Sequence, residues 1–471
     1  MHGADGESHP AGRDWVWLVA VTCLAAALRL LHLGTWSFWA DEVFTVRDAT
    51  AFPGTLTINP LPYACVAASM RLFGVSEWSA RLAPALVGIA CAPLCHWAGR
   101  KLFSPWTGRA TALLVALSPW HLFWSQNSRG YVFTFAFAVI ALVAFHEATR
   151  EGALLWAASA LVATVCVGLS HTPAAAVALG PAAYCVVMTV QRPAWVMDRR
   201  RLRALLVYFG PMAAVGLVVV MTPHLRAHLV SGWGRNAWAR SIPYILMTYA
   251  HGVTLPVLAA AAVGTLGRRP LASGHLLTVC GLAAPAAFFI VVSLGQNVAG
   301  YYLFFTSACA LLLAGKACAW AICAAPKVGV FALVLACAAM LGQDVMYFAA
   351  ENGGRPPWRE ALQQVAAEAA GGDTVYMSLP DIGEYYLRAA PHPDPPDVAR
   401  LTLALMQQPS NLDRPAHSAT FVIVDMRSMD TLDPDGTFMR WLTSNGARVA
   451  RAAGHARGSD RTIEAYRLDS P

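Results

Sequence analysis

The sequence predicts an α-helical integral membrane protein with about eleven membrane-spanning helices, closed by a small C-terminal α/β domain outside the membrane. Three observations carry this. Of the 471 residues, 57% are hydrophobic and only 13% charged, about half the charged share of an ordinary soluble domain. Most of the chain reads as runs of roughly 18 to 22 apolar residues, long enough to cross a ~30 Å hydrocarbon core as helices, and the two-residue alternation of a membrane barrel is absent. After residue 346 the composition shifts abruptly to charged, Pro-rich and Gly-rich sequence.

The spans are expected near residues 15–33, 80–99, 108–124, 131–148, 153–170, 173–190, 204–222, 241–263, 276–294, 300–315 and 327–346. The first ends in Arg29-Leu-Leu-His-Leu33 rather than a small-residue cleavage site, so it reads as a retained helix. The net charge of +7 does not indicate a nucleic-acid partner, because the basic residues are dispersed between spans. Arg100, Lys101, Arg150, Arg192, Arg199, Arg200, Arg201, Arg203, Arg268, Arg269, Lys316 and Lys327 fall in alternate loops, which the positive-inside rule assigns to the cytoplasm. The expected organisation is therefore a cytoplasmic N-terminus (1–14), a membrane domain (15–346) and an extracytoplasmic α/β domain (347–471) of the cytoplasmic membrane. Nearly all of the eleven cysteines sit inside apolar runs and read as small packing residues rather than a disulfide framework.

Three connections are long, and all three face outside. Residues 34–79 contain an apolar stretch, Pro60 to Gly74, too short to span and interrupted by Arg71, which is expected to lie along the membrane surface. Residues 223–240 carry Arg226, Arg235 and Arg240. In the tail, Trp358 to Ala370 and Thr437 to Asn445 have helical spacing, whereas Asp373 to Ser378, Thr420 to Met426 and Thr462 to Leu468 read as strands. Pro391 to Pro396 reads as a rigid connection.

Charge at a membrane is costly, so its placement is informative. The first outer loop reads Trp36-Ser-Phe-Trp-Ala-Asp41-Glu42, two adjacent carboxylates behind aromatic residues suited to the water–lipid interface. Neighbouring side chains point in different directions, so one acid is expected to face a reaction and the other a supporting contact. An isolated Asp-Glu pair is ordinarily a helix-capping turn. The surroundings argue for more. Downstream come Asn59-Pro-Leu-Pro-Tyr63, then Gly74-Val-Ser-Glu-Trp-Ser-Ala-Arg81-Leu-Ala-Pro84, then Ser118-Pro-Trp-His-Leu-Phe-Trp-Ser-Gln-Asn-Ser-Arg129-Gly-Tyr131.

Over roughly residues 25 to 150 this succession resembles the bacterial polyprenyl-phosphate-sugar glycosyltransferases of the GT-C class, the superfamily that includes aminoarabinose transferase, rhizobial galacturonosyltransferases and protein O-mannosyltransferases. The family pattern is a Trp-x-Asp-Glu, a Pro-Pro-Leu-Tyr-like surface helix, a Gly-x-Ser-Glu followed by Arg-Leu-Pro, and a Ser-Pro with Ser-Gln-x-x-Arg-x-Tyr. Here Leu61 stands at the second position of the proline motif, Ala83 precedes Pro84, and Gly300-Tyr301-Tyr302 stands where relatives often carry an arginine before the tyrosine.

The resemblance implies a membrane glycosyltransferase that moves a sugar from a polyprenyl-phosphate donor to an acceptor hydroxyl at the outer leaflet. Asp41 and Glu42 would be the catalytic residues, Asp41 as the general base, and Arg81, Arg129, Tyr131 and Tyr63 would bind substrate, the arginines holding phosphate oxygens. No metal ligand set is evident, and a divalent cation bridging a carboxylate and the donor phosphate is left open. Arg29, His32, His121 and His171 read as interfacial or packed residues. The competing reading is a secondary transporter or flippase, which calls for ionisable residues near the midplane of the spans; the span centres here are nearly free of charge.

Overall fold

The computed structural model describes residues 12–54, 59–230, 242–267, 271–296, 298–389, 402–406, 412, 417–456 and 458–469. Arg235, Arg240, Arg268, Arg269 and the Pro391 to Pro396 connection lie outside the described residues.

Each of the eleven expected spans coincides with a helix or a broken helix. Among the described residues seven helices are long and apolar enough to cross a membrane: Glu77–Leu102, Tyr131–Glu151, Thr172–Gln191, Arg199–Met221, Ser273–Val292, Gly300–Ala324 and Pro326–Ala349. The region expected as one span at 241–263 is instead two helices, Ile242–Val253 and Leu255–Thr265, bent by 97°. Thr254 takes a left-handed backbone (φ 75°) there and a proline stands in the first turn of the second helix, so the helical ladder is interrupted. The region expected at 108–124 also breaks. We label the first helices α1 (Gly12–Leu30), α2 (Ala40–Thr50), α3 (Pro60–Phe73), α4 (Glu77–Leu102), α5 (Pro105–Ala116), α6 (Pro119–Ser125), α7 (Tyr131–Glu151) and α8 (Leu154–Ser170). Between α5 and α6, the Ser118 hydroxyl accepts the His121 N–H and Pro119 opens the new helix, a start signal that ends one helix and begins another.

The bundle is held by close approach of small residues, as expected where lipid supplies no hydrophobic drive between helices. Cys91, Ala92, Cys95 and Ala98 of α4 are completely buried, and all eleven cysteines are free. At one end Arg100 and Arg109 share Asp14, while Lys101 and Arg150 share the buried Glu147. The other end, here called the upper end, carries α2, α3 and the tail.

The tail is a five-stranded mixed sheet with helices. Its strands are β1 (Thr374–Met377), β2 (Thr402–Leu405), β3 (Thr420–Asp425), β4 (Ala447–Ala452) and, after a small hairpin of β5 (His455–Ala456) and β6 (Ser459–Asp460), β7 (Ile463–Leu468). The order is β2-β1-β3-β7-β4, parallel where β1 meets β2 and β3 and antiparallel where β7 meets β3 and β4. β3 is buried on both faces, which explains its unbroken apolar run. Phe421 and Ile423 join Trp358, Leu362 and Val365 in a core that also contains Phe38, Val43, Val46, Tyr63 and Met70 of the first loop. Val422 and Val424 face a second core with Phe438 and Leu442. The tail and the loop bearing the two carboxylates therefore share one hydrophobic cluster.

Candidate active site

The two adjacent acids open α2, where a carboxylate is favoured by the helix dipole. They then diverge. Glu42 is completely buried and receives a two-pronged contact from Arg81, Nε to Oε1 at 2.8 Å and Nη2 to Oε2 at 2.8 Å. Arg355, just before the tail, adds Nε to Oε2 at 3.0 Å, and the Ser128 N–H donates to Oε1 at 3.1 Å. Burial alone would raise the Glu42 pKa, but the guanidiniums of Arg81 and Arg355 outweigh it and hold the carboxyl at about 2. Glu42 is thus the supporting acid. All four of its contacts come from within the protein, the supporting arrangement expected of one of the two acids.

Arg81, expected to bind substrate, is also engaged within the protein. Besides Glu42, its guanidinium donates to the carbonyls of Leu33, Trp36 and Ser37, so its five N–H groups are engaged and none is left for a phosphate. Its role is to fold residues 33–37 onto α4. Arg355 repeats the pattern from the tail side, donating to Gly353, Gln126 and the Tyr347 hydroxyl. Gly353 has φ 62° and lies against the Trp36 ring, where a Cβ would collide. A second clamp lies nearby: Arg359 and the Tyr386 hydroxyl both reach Glu77, and Tyr386 accepts the Phe38 N–H at 2.6 Å.

Asp41 is different. Its side chain is about one-third exposed (33%), and its oxygen Oδ2 stands 3.9 Å from Nε of Arg129. Arg129 also donates to the hydroxyls of Thr45 at 3.2 Å and Tyr63 at 3.3 Å, and the Asn127 side chain accepts its backbone N–H. Burial disfavours the charged guanidinium, but the nearby Asp41 and Tyr63 raise its pKa above the ordinary value. A small cleft opens here, lined by Thr45, Tyr63, Ser128, Arg129, Tyr131 and His171 among others. Of the predicted substrate residues, Arg129, Tyr131 and Tyr63 are therefore brought together beside Asp41, and Arg81 is not. Arg226 is exposed and lies on the helix Pro223–Val230, outside this cluster.

Arg355 carries no signal in the sequence, His171 reads there as an interfacial or packed residue, and Tyr301 and Tyr302 read only as a departure from the family pattern. Tyr301, at the point where relatives often carry arginine one position earlier, packs edge-on against Tyr131 at 5.4 Å, and Tyr302 packs against His171 at 5.1 Å. Arg355 lies three residues before Trp358, among glycine and proline neighbours, with no motif to mark it. The upper bundle also holds Asp344, buried with neither carboxylate oxygen bonded among the described residues, and Arg29, which donates to the carbonyls of Val115 and Ala116 and faces His121 Nδ1 at 2.9 Å.

Among the described residues no three His, Cys, Asp or Glu side chains gather to hold a metal ion. With Glu42 spent on arginines, Asp41 is the one of the two adjacent acids left beside Arg129, its Oδ2 3.9 Å from Nε. A larger cleft of about 990 Å³ lies between the first loop and the tail, lined by Trp39, Ala40, Trp358, Asp425, Arg427 and Arg461 among others.

A bundle of long apolar helices whose first upper loop presents a carboxylate, with a small sheet domain seated on it, is the GT-C fold, as its likeness to solved structures shows. Residues 58–225 match the family model described as dolichyl-phosphate-mannose-protein mannosyltransferase. The structure is similar to ArnT from Cupriavidus metallidurans in the apo state, with 16% identity and a TM-score of 0.61, and to the same protein bound to undecaprenyl phosphate, with 17% identity and a TM-score of 0.58. Each comparison covers 97% of this chain and 98% of that one. It is also similar to the Archaeoglobus fulgidus oligosaccharyltransferase in the apo form, with 12% identity and a TM-score of 0.57 over 90% of this chain and 71% of that chain. No curated protein matches by sequence.

Proposed function

We propose that this protein is a membrane glycosyltransferase that moves a sugar from a polyprenyl-phosphate donor to an acceptor hydroxyl on the extracytoplasmic face of the cytoplasmic membrane. The observation that carries the reading is Asp41 held, partly exposed, beside the cation Arg129, which itself lines a cleft. The matched family's description names a dolichyl-phosphate-linked sugar, and a structure of the same fold holds undecaprenyl phosphate. The concentration of arginine and lysine at the opposite end of the bundle supports the upper end facing outside.

In this reading Asp41 takes the proton of the acceptor hydroxyl as its oxygen attacks the anomeric carbon. The bond from that carbon to the phosphate oxygen breaks, and the electron pair leaves on the lipid phosphate, where Arg129 meets the developing charge. Tyr63 and Tyr131 shape the donor side. Glu42 and Arg81 act at a distance, as positioning residues that fix the turn on which Asp41 stands. The larger cleft, beginning at Trp39 and Ala40 next to Asp41 and running into the tail, supports acceptor entry from that side.

The test is the purified chain in proteoliposomes, supplied with a panel of polyprenyl-phosphate sugars and a lipid and glycan extract as acceptor. Loss of the lipid-linked sugar, with release of polyprenyl phosphate and a glycosylated product detected by mass spectrometry, is the expected result. Movement of the lipid or of a solute across the bilayer with the donor left intact would replace this reading with transport.

A further inference from the structure

His171 occupies the turn between α8 and the short 3-10 segment Thr172–Ala178. It is delivered to the cleft by a close approach: a Cβ on Gly130 would collide with the Ser170 carbonyl, so only glycine lets the end of α8 pack beside Arg129. The imidazole lies against Tyr131 and Tyr302, with ring centres 4.7 and 5.1 Å away. Its Nε2 is 3.3 Å from the Tyr131 hydroxyl, whereas Nδ1 is buried with no partner among the described residues. Burial, and then the charge of Arg129, push the ring's pKa down to about 3, so it is neutral at ordinary pH. Tyr131 donating to Nε2 leaves the single ring proton on Nδ1.

Two further donors line the same cleft unspent. The Ser128 hydroxyl is buried without a partner, and Arg129 places Nε toward Asp41 and Nη1 on Thr45 and Tyr63, with no hydrogen bond from Nη2 among the described residues. No carboxylate is among the residues lining the cleft. A small buried space ringed by unsatisfied donors and one cation is complementary to an oxyanion, since buried donors otherwise go unpaired.

We infer that Ser128 and His171 complete, with Arg129, an oxyanion cradle that binds the phosphate of the polyprenyl carrier, the Nδ1–H of His171 and the hydroxyl of Ser128 each donating to a phosphate oxygen. The inference rests on the glycosyl-transfer reading and adds two binding residues to it. Tyr131 is then a positioning residue, holding the imidazole in the tautomer that donates.

The test uses the full chain in detergent and undecaprenyl phosphate as the probe. His171→Phe keeps a ring against Tyr131 and Tyr302 but removes the donor; His171→Asn returns an amide N–H close to the Nδ1 position. The Phe variant should bind undecaprenyl phosphate about tenfold more weakly, the loss of one charge-assisted hydrogen bond, with the donor KM raised, the acceptor KM unchanged and the thermal transition unmoved. Ser128→Ala should do the same to a smaller extent, and His171→Asn should recover most of the binding. If the Phe variant binds as well as the wild type while Arg129→Ala does not, the cradle is wrong and the donor site stands. If donor and acceptor KM rise together, or if Asn fails to rescue, His171 is structural. If Arg129→Ala also binds normally, the reading of the cleft as a donor site falls as well.

Discussion

Asp41 and Glu42 are neighbours in one helical turn, yet the regions they enter share almost nothing. Glu42 is completely buried, two arginines and a backbone N–H satisfy its oxygens, and the contacts reach from residue 81 to residue 355. Around Asp41 a third of the side chain is open, and its cationic partner stands 3.9 Å away. A carboxylate with every acceptor site filled cannot take a proton or a substrate; it can only hold its surroundings still. A carboxylate with a distant cation and room beside it is free to act. The difference assigns the first to architecture and the second to chemistry, and it explains why a dipeptide of two acids is needed where one would suffice for either task.

The contrast can be broken or sharpened from several directions. The largest stability effect should follow Glu42→Ala, which leaves two buried guanidiniums without their counter-charge. A loss of about 3–5 kcal/mol is expected, read as a lowered unfolding midpoint in detergent, and a near-normal midpoint would mean the cluster is not structural. Acid should reproduce part of this. The folded Glu42 carboxyl lies near 2 against a reference of 4.5, so its contribution is present above that reference and is lost as pH falls from 4.5 toward 2. The amount is on the order of 3 kcal/mol, and Glu42→Gln should flatten this part of the pH–stability curve.

Gly130→Ala tests the join between the two regions. Its Cβ would press on the Ser170 carbonyl, with an expected cost of about 1–3 kcal/mol and a raised donor KM as His171 moves from Arg129. Normal stability together with a normal donor KM would show that the close approach is dispensable. The smallest effect is expected from Arg427→Ala with Arg461→Ala in the tail cleft. These should change stability by less than about 1 kcal/mol while raising the acceptor KM several-fold. A donor KM that moved instead would place the acceptor elsewhere.

Much of this was legible in the chain, because long apolar runs and helix caps are local signals. The eleven helical regions, the helix at Pro60, and the tail elements beginning at Trp358, Thr374, Thr420, Thr437 and Ile463 all follow from periodicity and composition. The motif residues Ser76 and Ser118 prove to be N-caps, features a sequence shows well. What the chain did not show is non-local. Whether Arg81 binds a phosphate or a glutamate depends on a partner 39 residues away, and Arg355 meets Glu42 across 313 residues. The bend at Thr254 was hidden inside a continuous apolar run. His171 read as a packed histidine because its polarity matters only once Gly130 lets Arg129 lie beside it.

The measurement that bears most directly on the whole account is a side-by-side comparison of Asp41→Asn and Glu42→Gln in the reconstituted transfer assay, with turnover and thermal transition recorded for each. Asp41→Asn should lower kcat by about 10²–10⁴-fold with the transition unmoved, and Glu42→Gln should lower the transition while retaining measurable turnover at low temperature. Near-normal turnover in the Asp41 variant, or full stability with abolished turnover in the Glu42 variant, would contradict the division of labour between the two acids.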